Sequence, residues 1–317
     1  MLSILAVTFP FFALVLCGYL AVRRRLLPQQ AIPGLNSFVL YFALPCLLYR
    51  FGSSTPLAQL LDASVFGVYL LCALLMVGLT MAFTLSHRTD WNNAAFGALV
   101  AAFPNTGFMG VPLLVALLGP RSSGPVIVTL VVDLIITSSL CIALSRLGGG
   151  GAQGSAAALR KALAGMTGNP MPWAILLGAL ASGIGLVLPK PLMQTVGLLA
   201  DAASPVALFT IGAVLARSQM ASAETTPLVD FVPVALKKLL LHPLLMFGIG
   251  QAAIALGLPL DPFALTVLVL VACLPSASNV AMLAERFGAN TGRIARIILV
   301  STALSFLTFS GAVVLLT

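Results

Sequence analysis

Two prolines in matching positions of long hydrophobic segments, each trailed by small polar residues, are where this chain could hold a ligand. In LVAAFPNTGFMGVPLLVALL (99–118), Pro104 precedes Asn105, Thr106 and Gly107. In VLVLVACLPSASNVAMLA (267–284), Pro275 precedes Ser276, Ser278 and Asn279. Proline removes a backbone donor and clashes with the preceding turn. In hydrocarbon, such a break is tolerated only where protein or a water-filled cavity satisfies the freed groups. The half-helix beyond each break starts with free N–H groups and a partial positive charge. Asn105 and Asn279 add amide donors. These groups suit a small organic anion, and the opposite, carbonyl-bearing ends suit a cation. A simple proline kink is the structural alternative. The expected substrate-binding set is Pro104, Asn105, Thr106, Gly107, Pro275, Ser276 and Asn279.

Two acidic residues interrupt other apolar runs. Asp133 sits in VVDLIITSS, and Asp201 lies four residues before Pro205. An ionisable group at membrane depth is costly and faces the bundle interior. Both are candidates for ion coupling, Asp133 as a proton carrier. The structural alternative for Asp133 is a partner for a serine, a threonine, Lys237 or Lys238, and for Asp201 a cap where the helix loosens. His242 lies within an apolar segment, and His87 adjoins Arg88 and Asp90 in a loop. The cysteines (Cys17, Cys46, Cys72, Cys141 and Cys273) all fall in apolar runs, with spacing that suits neither a metal site nor a disulfide framework. No metalloprotease, serine-hydrolase, phosphate-loop or dinucleotide motif is present, so no enzyme activity and no cofactor are expected.

The elements that position these residues are membrane helices. The 317 residues are 60% hydrophobic and 8% charged, against roughly 25% charged in a soluble domain. The apolar runs have the length of spanning helices rather than barrel strands. Ten spans are expected, near 2–22, 35–51, 65–86, 92–118, 124–146, 172–188, 192–216, 230–257, 262–287 and 293–316. The fourth and ninth carry the breaks. The first run has its arginines after the apolar stretch, which makes it a retained helix rather than a cleaved leader.

Charge orders the loops. With the N-terminus outside, the inner side collects Arg23, Arg24, Arg25, Arg88, Arg146, Arg160, Lys161, Arg217, Lys237, Lys238, Arg286, Arg293 and Arg296. The outer side keeps Arg50, Arg121 and Lys190. This is the positive-inside pattern for ten spans with both termini outside. It assigns the net charge of +8 to topology rather than to nucleic acid. Lys237 and Lys238 are its weakest members, because they fall near the eighth helix.

The longest connection, 147–171, opens with the flexible composition GGGGAQGS and continues as AAALRKALAGM, expected to form a short basic helix at the inner surface. It separates two related halves, 1–146 and 172–317. FALPCLLYRFG (42–52) resembles AASPVALFTIG (202–212), and Gly18 matches Gly178 at the same offset. LVAAFP (99–104) resembles LVACLP (270–275). Five spans per half is odd, so the halves have opposite orientation, as in secondary transporters with inverted repeats.

PNTGFMGVPLL (104–114) resembles the fourth-helix signature of the auxin efflux carrier family in its bacterial form. LNSFVLYFALPCLLY (35–49) and RIARIILVSTALSFLTF (293–309) resemble its second and last helices. The resemblance covers residues 1–316. It implies an all-α membrane protein of ten transmembrane helices in two inverted five-helix repeats, with helices 4 and 9 broken and crossing. It also implies a scaffold domain and a transport domain, and carriage of organic anions by an elevator-like motion. Plant PIN-type members export indole-3-acetate, and bacterial members are often labelled malonate transporters. Pro104 and Asn105 match the fourth-helix crossover, and Pro275 matches the ninth. Ser276 stands where plant members place an asparagine, and Asn279 follows three residues later, so a small carboxylate is expected before an aromatic one.

The expectation is a secondary transporter of a small organic anion in a bacterial inner membrane, with both termini periplasmic. Its partners are the anion, H+ or Na+ as coupling ion, and the lipid bilayer, with no nucleic acid; a homodimer is left open. The alternatives are a sodium-coupled symporter of the bile-acid type and a non-transporting membrane receptor.

Overall fold

The computed structural model describes residues 2–60, 62–85, 89–147, 160, 170–221 and 227–316. The described residues are helical and form no strand. Six helices are long and apolar enough to cross a membrane: Ala31–Ser54, Ala63–Thr84, Pro120–Leu144, Lys190–Arg217, Leu228–Ala255 and Thr291–Leu316. The run expected at 35–51 is lengthened to Ala31–Ser54. Four apolar helices are shorter: Phe9–Arg23, Thr106–Leu118, Pro170–Ile184 and Pro262–Cys273. His87, the GGGGAQGS stretch and the expected basic helix after it, Arg160 excepted, lie outside the described residues.

The prolines explain much of the local irregularity. Pro45, Pro112 and Pro243 each sit at the start of an α-helix that follows a π-helical turn, at Val39–Ala43, Thr106–Gly110 and Lys237–Leu241. The wider turn absorbs the missing N–H without ending the helix. Pro104 and Pro275 act differently. Phe103 and Leu274, the residues before them, take extended backbone, with ψ of 102° and 154°. Steric conflict with the proline ring disfavours the helical conformation at that position. The helices Trp91–Ala102 and Pro262–Cys273 end there.

The chain divides into two compact units, each drawing on both sequence halves. The first comprises Met1–Asp62, Gly107–Val128 and Asn169–Ala221. In it, Leu2–Arg23 packs along Lys190–Ala221, and Pro170–Ile184 packs along Leu44–Ser54. Glycines set the approach. A Cβ on Gly18 would run into the Phe209 carbonyl, and one on Gly212 into the Val15 carbonyl. A Cβ on Gly178 would lie 2.8 Å from the Tyr49 oxygen and 3.0 Å from the Gly52 Cα. Small residues that let backbones touch are a principal source of helix association in lipid, where no hydrophobic force separates helix from solvent.

The second unit comprises Ala63–Thr106, Thr129–Gly168 and Ser222–Thr317. Its helix starts are capped. Asp90 accepts from the Asn93 N–H at 2.8 Å, Asp261 from the Phe263 N–H at 3.0 Å, and Asn290 from the Arg293 N–H at 2.9 Å. Arg293 is itself buried. Its Nε donates to the Asp230 carbonyl at 2.7 Å and its Nη1 to the Asn93 carbonyl at 2.8 Å, which ties three helix starts together. Gly97 leaves room for this guanidinium.

Candidate functional site

Both breaks lie in the second unit and meet there. The Asn105 N–H donates to the Pro275 carbonyl at 2.8 Å, and the Ala277 N–H donates to the Phe103 carbonyl at 3.0 Å. Pro104 and Ser276 face each other across this isolated antiparallel bridge. Each interruption therefore supplies the partner for backbone groups that the other leaves free. That is what hydrocarbon depth demands of non-helical chain. The Ser276 N–H has its own acceptor, Ser301 Oγ at 3.2 Å, and Ser301 Oγ donates to the Ile298 carbonyl at 3.0 Å. The Thr106 N–H folds back to the Pro104 carbonyl at 2.8 Å.

Of the expected binding set, the crossing brings together Pro104, Asn105, Thr106, Pro275 and Ser276, all buried, with Asn279 opening the next helix, Asn279–Arg286. Two side-chain atoms here, Ser276 Oγ and Asn279 Oδ1, are buried and find no hydrogen-bond partner among the described residues. Buried polar atoms are nearly always paired, so these two call for a partner. Gly107 begins the segment that groups with the first unit.

The two acidic candidates part company. Asp133 is fully buried in the second unit. Its carboxylate accepts from the Tyr69 hydroxyl at 2.7 Å and from Thr137 Oγ1 at 3.1 Å. Asp201, in the first unit, is largely exposed and paired with Arg50 at 2.7 Å. An ionisable group within a span is expected to face the bundle interior, whereas Asp201 is exposed on the 32-residue helix Lys190–Ala221.

Lys238, counted above with the inner-side charges, is instead wholly buried. Its Nζ donates to the Ala272 carbonyl at 2.8 Å and lies 3.0 Å from His242 Nδ1. Lysine and histidine four residues apart share one helix face, and that spacing was visible in the sequence. Tyr69 and Ser301 gave no such signal.

Six helices of spanning length and apolar composition fit a membrane protein. The comparisons with known proteins agree. Residues 3–313 match the family described as "Membrane transport protein", and the chain belongs to that family. It is 30% identical to the "Putative malonate transporter" of Rhizobium meliloti (strain 1021), over 100% of this chain and 97% of that one. It is 28% identical to the "Uncharacterized transporter YfdV" of Escherichia coli (strain K12), over 89% of this chain and 88% of that one. "Auxin efflux carrier component 7" of Arabidopsis thaliana shares 28% identity over 45% of this chain and 23% of its own length. The resemblance to auxin efflux carriers seen in residues 35–49, 104–114 and 293–309 thus extends to matched relatives.

Proposed function

We propose that this protein is a secondary active transporter of a small organic anion, a carboxylate such as malonate rather than indole-3-acetate. The anion binds where the broken helices 4 and 9 cross, and the unit bearing the crossing carries it by an elevator-type alternation of access. The observation that carries this reading is the antiparallel bridge at Pro104 and Ser276, with the Ser276 hydroxyl, a donor suited to a carboxylate, buried beside it without a partner. Its binding residues are Pro104, Asn105, Thr106, Gly107, Pro275, Ser276 and Asn279. The name of the Rhizobium relative supports a dicarboxylate.

The ten-helix inverted repeat belongs to the same proposal, with halves 1–146 and 172–317 joined by the connection 147–171. The glycine pairs support it. Gly18 and Gly178 are related by the repeat offset, as are Gly52 and Gly212. Gly18 and Gly212 meet the opposing helix in one pair, and Gly52 and Gly178 in the other. The protein is placed in a bacterial inner membrane with both termini periplasmic. Asp133 is proposed as the coupling group.

The test is counterflow in proteoliposomes preloaded with malonate. The intact protein accumulates labelled malonate and is competed by other short dicarboxylates. Failure of every carboxylate to exchange would reject the reading.

A further inference from the structure

The half-helix that begins with Asn279 is short. Asn279–Arg286 has eight residues. A helix of fewer than about 12 residues has little stability of its own, so its place is set by what holds its two ends. The near end follows the crossing, where the Ala277 N–H donates to the Phe103 carbonyl at 3.0 Å. The far end closes on itself. The Ala289 N–H donates to the Ala284 carbonyl at 2.8 Å, and the Gly288 N–H to the Glu285 carbonyl at 3.2 Å. This paired closure needs a residue in the left-handed region, and Gly288 supplies it with φ of 70°.

The Phe287 carbonyl lies past the last one that a helical N–H can serve. Two donors from elsewhere in the same unit take it. Asn92 Nδ2 donates at 3.2 Å from the start of Trp91–Ala102, and Arg146 Nη2 donates at 3.2 Å from just beyond Ser138–Leu144. The Phe287 ring is buried 6.2 Å from that of Phe96, with the Arg146 and Arg286 guanidiniums 5.6 and 6.0 Å from its centre. The turn that follows is tied to the same helix start, because the Asn290 N–H donates to Asn93 Oδ1 at 2.7 Å. Trp91–Ala102 is therefore fastened to both ends of the half-helix. One fastening is at Asn92 and Asn93, and the other is at Phe103. Phe287 lies about 12 Å along the axis from Asn279, at 1.5 Å per residue.

We propose that Arg146 and Asn92 are positioning residues for the anion site. By holding the Phe287 carbonyl at the far end of the half-helix, they fix the depth and rotation at which Asn279 meets the anion. Binding groups need to be held within about 0.5 Å of their working geometry, and a short helix held at one end only does not give that. The proposal rests on the transporter reading above and deepens it.

A double-mutant cycle tests it, read as the malonate dependence of the melting temperature of the purified protein. Arg146→Gln and Asn92→Ala are each expected to weaken malonate binding about fivefold when Asn279 is present, and less than about 1.5-fold in an Asn279→Ala background. Arg146→Lys keeps a cationic donor and is expected to stay within about twofold of the intact protein. Equal losses in both backgrounds are the mark of general loosening, or of simple attraction by the Arg146 charge, and overturn the proposal. So does the absence of any loss. The second measurement needs no malonate. Amide hydrogen exchange in 279–287 is expected to be at least about tenfold faster in Arg146→Gln than in the intact protein, with 262–273 unchanged. Unchanged protection of 279–287 also overturns the proposal. Where Arg146→Gln does not fold, Asn92→Ala carries both measurements. If malonate leaves the melting temperature of the intact protein unmoved, the substrate reading fails, and the exchange measurement alone decides whether these residues hold the half-helix.

Discussion

At the residue scale, the polar atoms of the crossing divide into those with a hydrogen-bond partner and those without. Backbone groups of Phe103, Asn105, Pro275 and Ala277 are satisfied by one another, whereas Ser276 Oγ and Asn279 Oδ1 are not satisfied at all. Removing an atom that already lacks a partner costs the fold little, but it removes a contact from the bound state. Ser276→Ala and Asn279→Ala are therefore expected to leave the melting temperature of the free protein nearly unchanged. Each is expected to weaken malonate binding about tenfold, the value of one buried hydrogen bond to a charged ligand, with the Ser276 hydroxyl and the Asn279 amide N–H as donors, since Oδ1 only accepts. Titration of the malonate-dependent rise in melting temperature measures both. Asp133 makes a different prediction, because its carboxylate is already paired with Tyr69 and Thr137. With Asp133 as the proton carrier, uptake by the intact protein quickens as the external pH falls, and Asp133→Asn flattens that response. A variant that keeps the full pH response takes Asp133 out of the coupling role.

At the element scale, the same residue type does opposite things according to its neighbours. Three prolines follow a widened turn and leave their helices continuous, while Pro104 and Pro275 end theirs. Proline chemistry is local, so both breaks were legible in the sequence. Their register was not. Pro104 pairs with Ser276 rather than Pro275, and only the placement of two distant segments decides that. Length and composition mark six helices that can cross a membrane, but they do not decide which charged residues are buried. Lys238, expected among the inner-side charges, is wholly buried, and Asp201, expected to face the bundle interior, is exposed beside Arg50. Helix packing in the first unit yields a sharper prediction. Gly18→Val and Gly178→Val each force apart backbones that touch, with no flexible side chain to give way. Each is expected to lower the melting temperature in detergent by at least about 5 °C, against little change for Gly67→Ala, where the added carbon meets open space.

At the scale of the whole molecule, neither compact unit corresponds to a sequence half. Two similar halves in sequence suggest two successive bundles, yet each unit here takes helices from before and after the 147–171 connection. The likeness between the halves at Gly18, Pro45 and Pro104 and their counterparts does not foretell this distribution of helices, because hydrophobic runs of equal character do not reveal which neighbour they choose. The orientation is open to direct measurement. In a cysteine-free background, a cysteine at position 2 is expected to react with a membrane-impermeant maleimide in intact cells. One at position 155 is expected to react only after the membrane is opened. The reverse pattern would invert the proposed topology.

The crossing also constrains the order in which the protein can be made. Pro275 leaves the ribosome 171 residues after Pro104, a delay on the order of 10–30 s at ordinary synthesis rates. Throughout that interval the Phe103 carbonyl and the Asn105 N–H sit in a nascent membrane segment without the partners they have in the finished protein. The early half must therefore be held by the insertion machinery or by bound water until the late half arrives. A chain terminated before residue 275 lacks these partners, and it is expected to be degraded faster than the full chain.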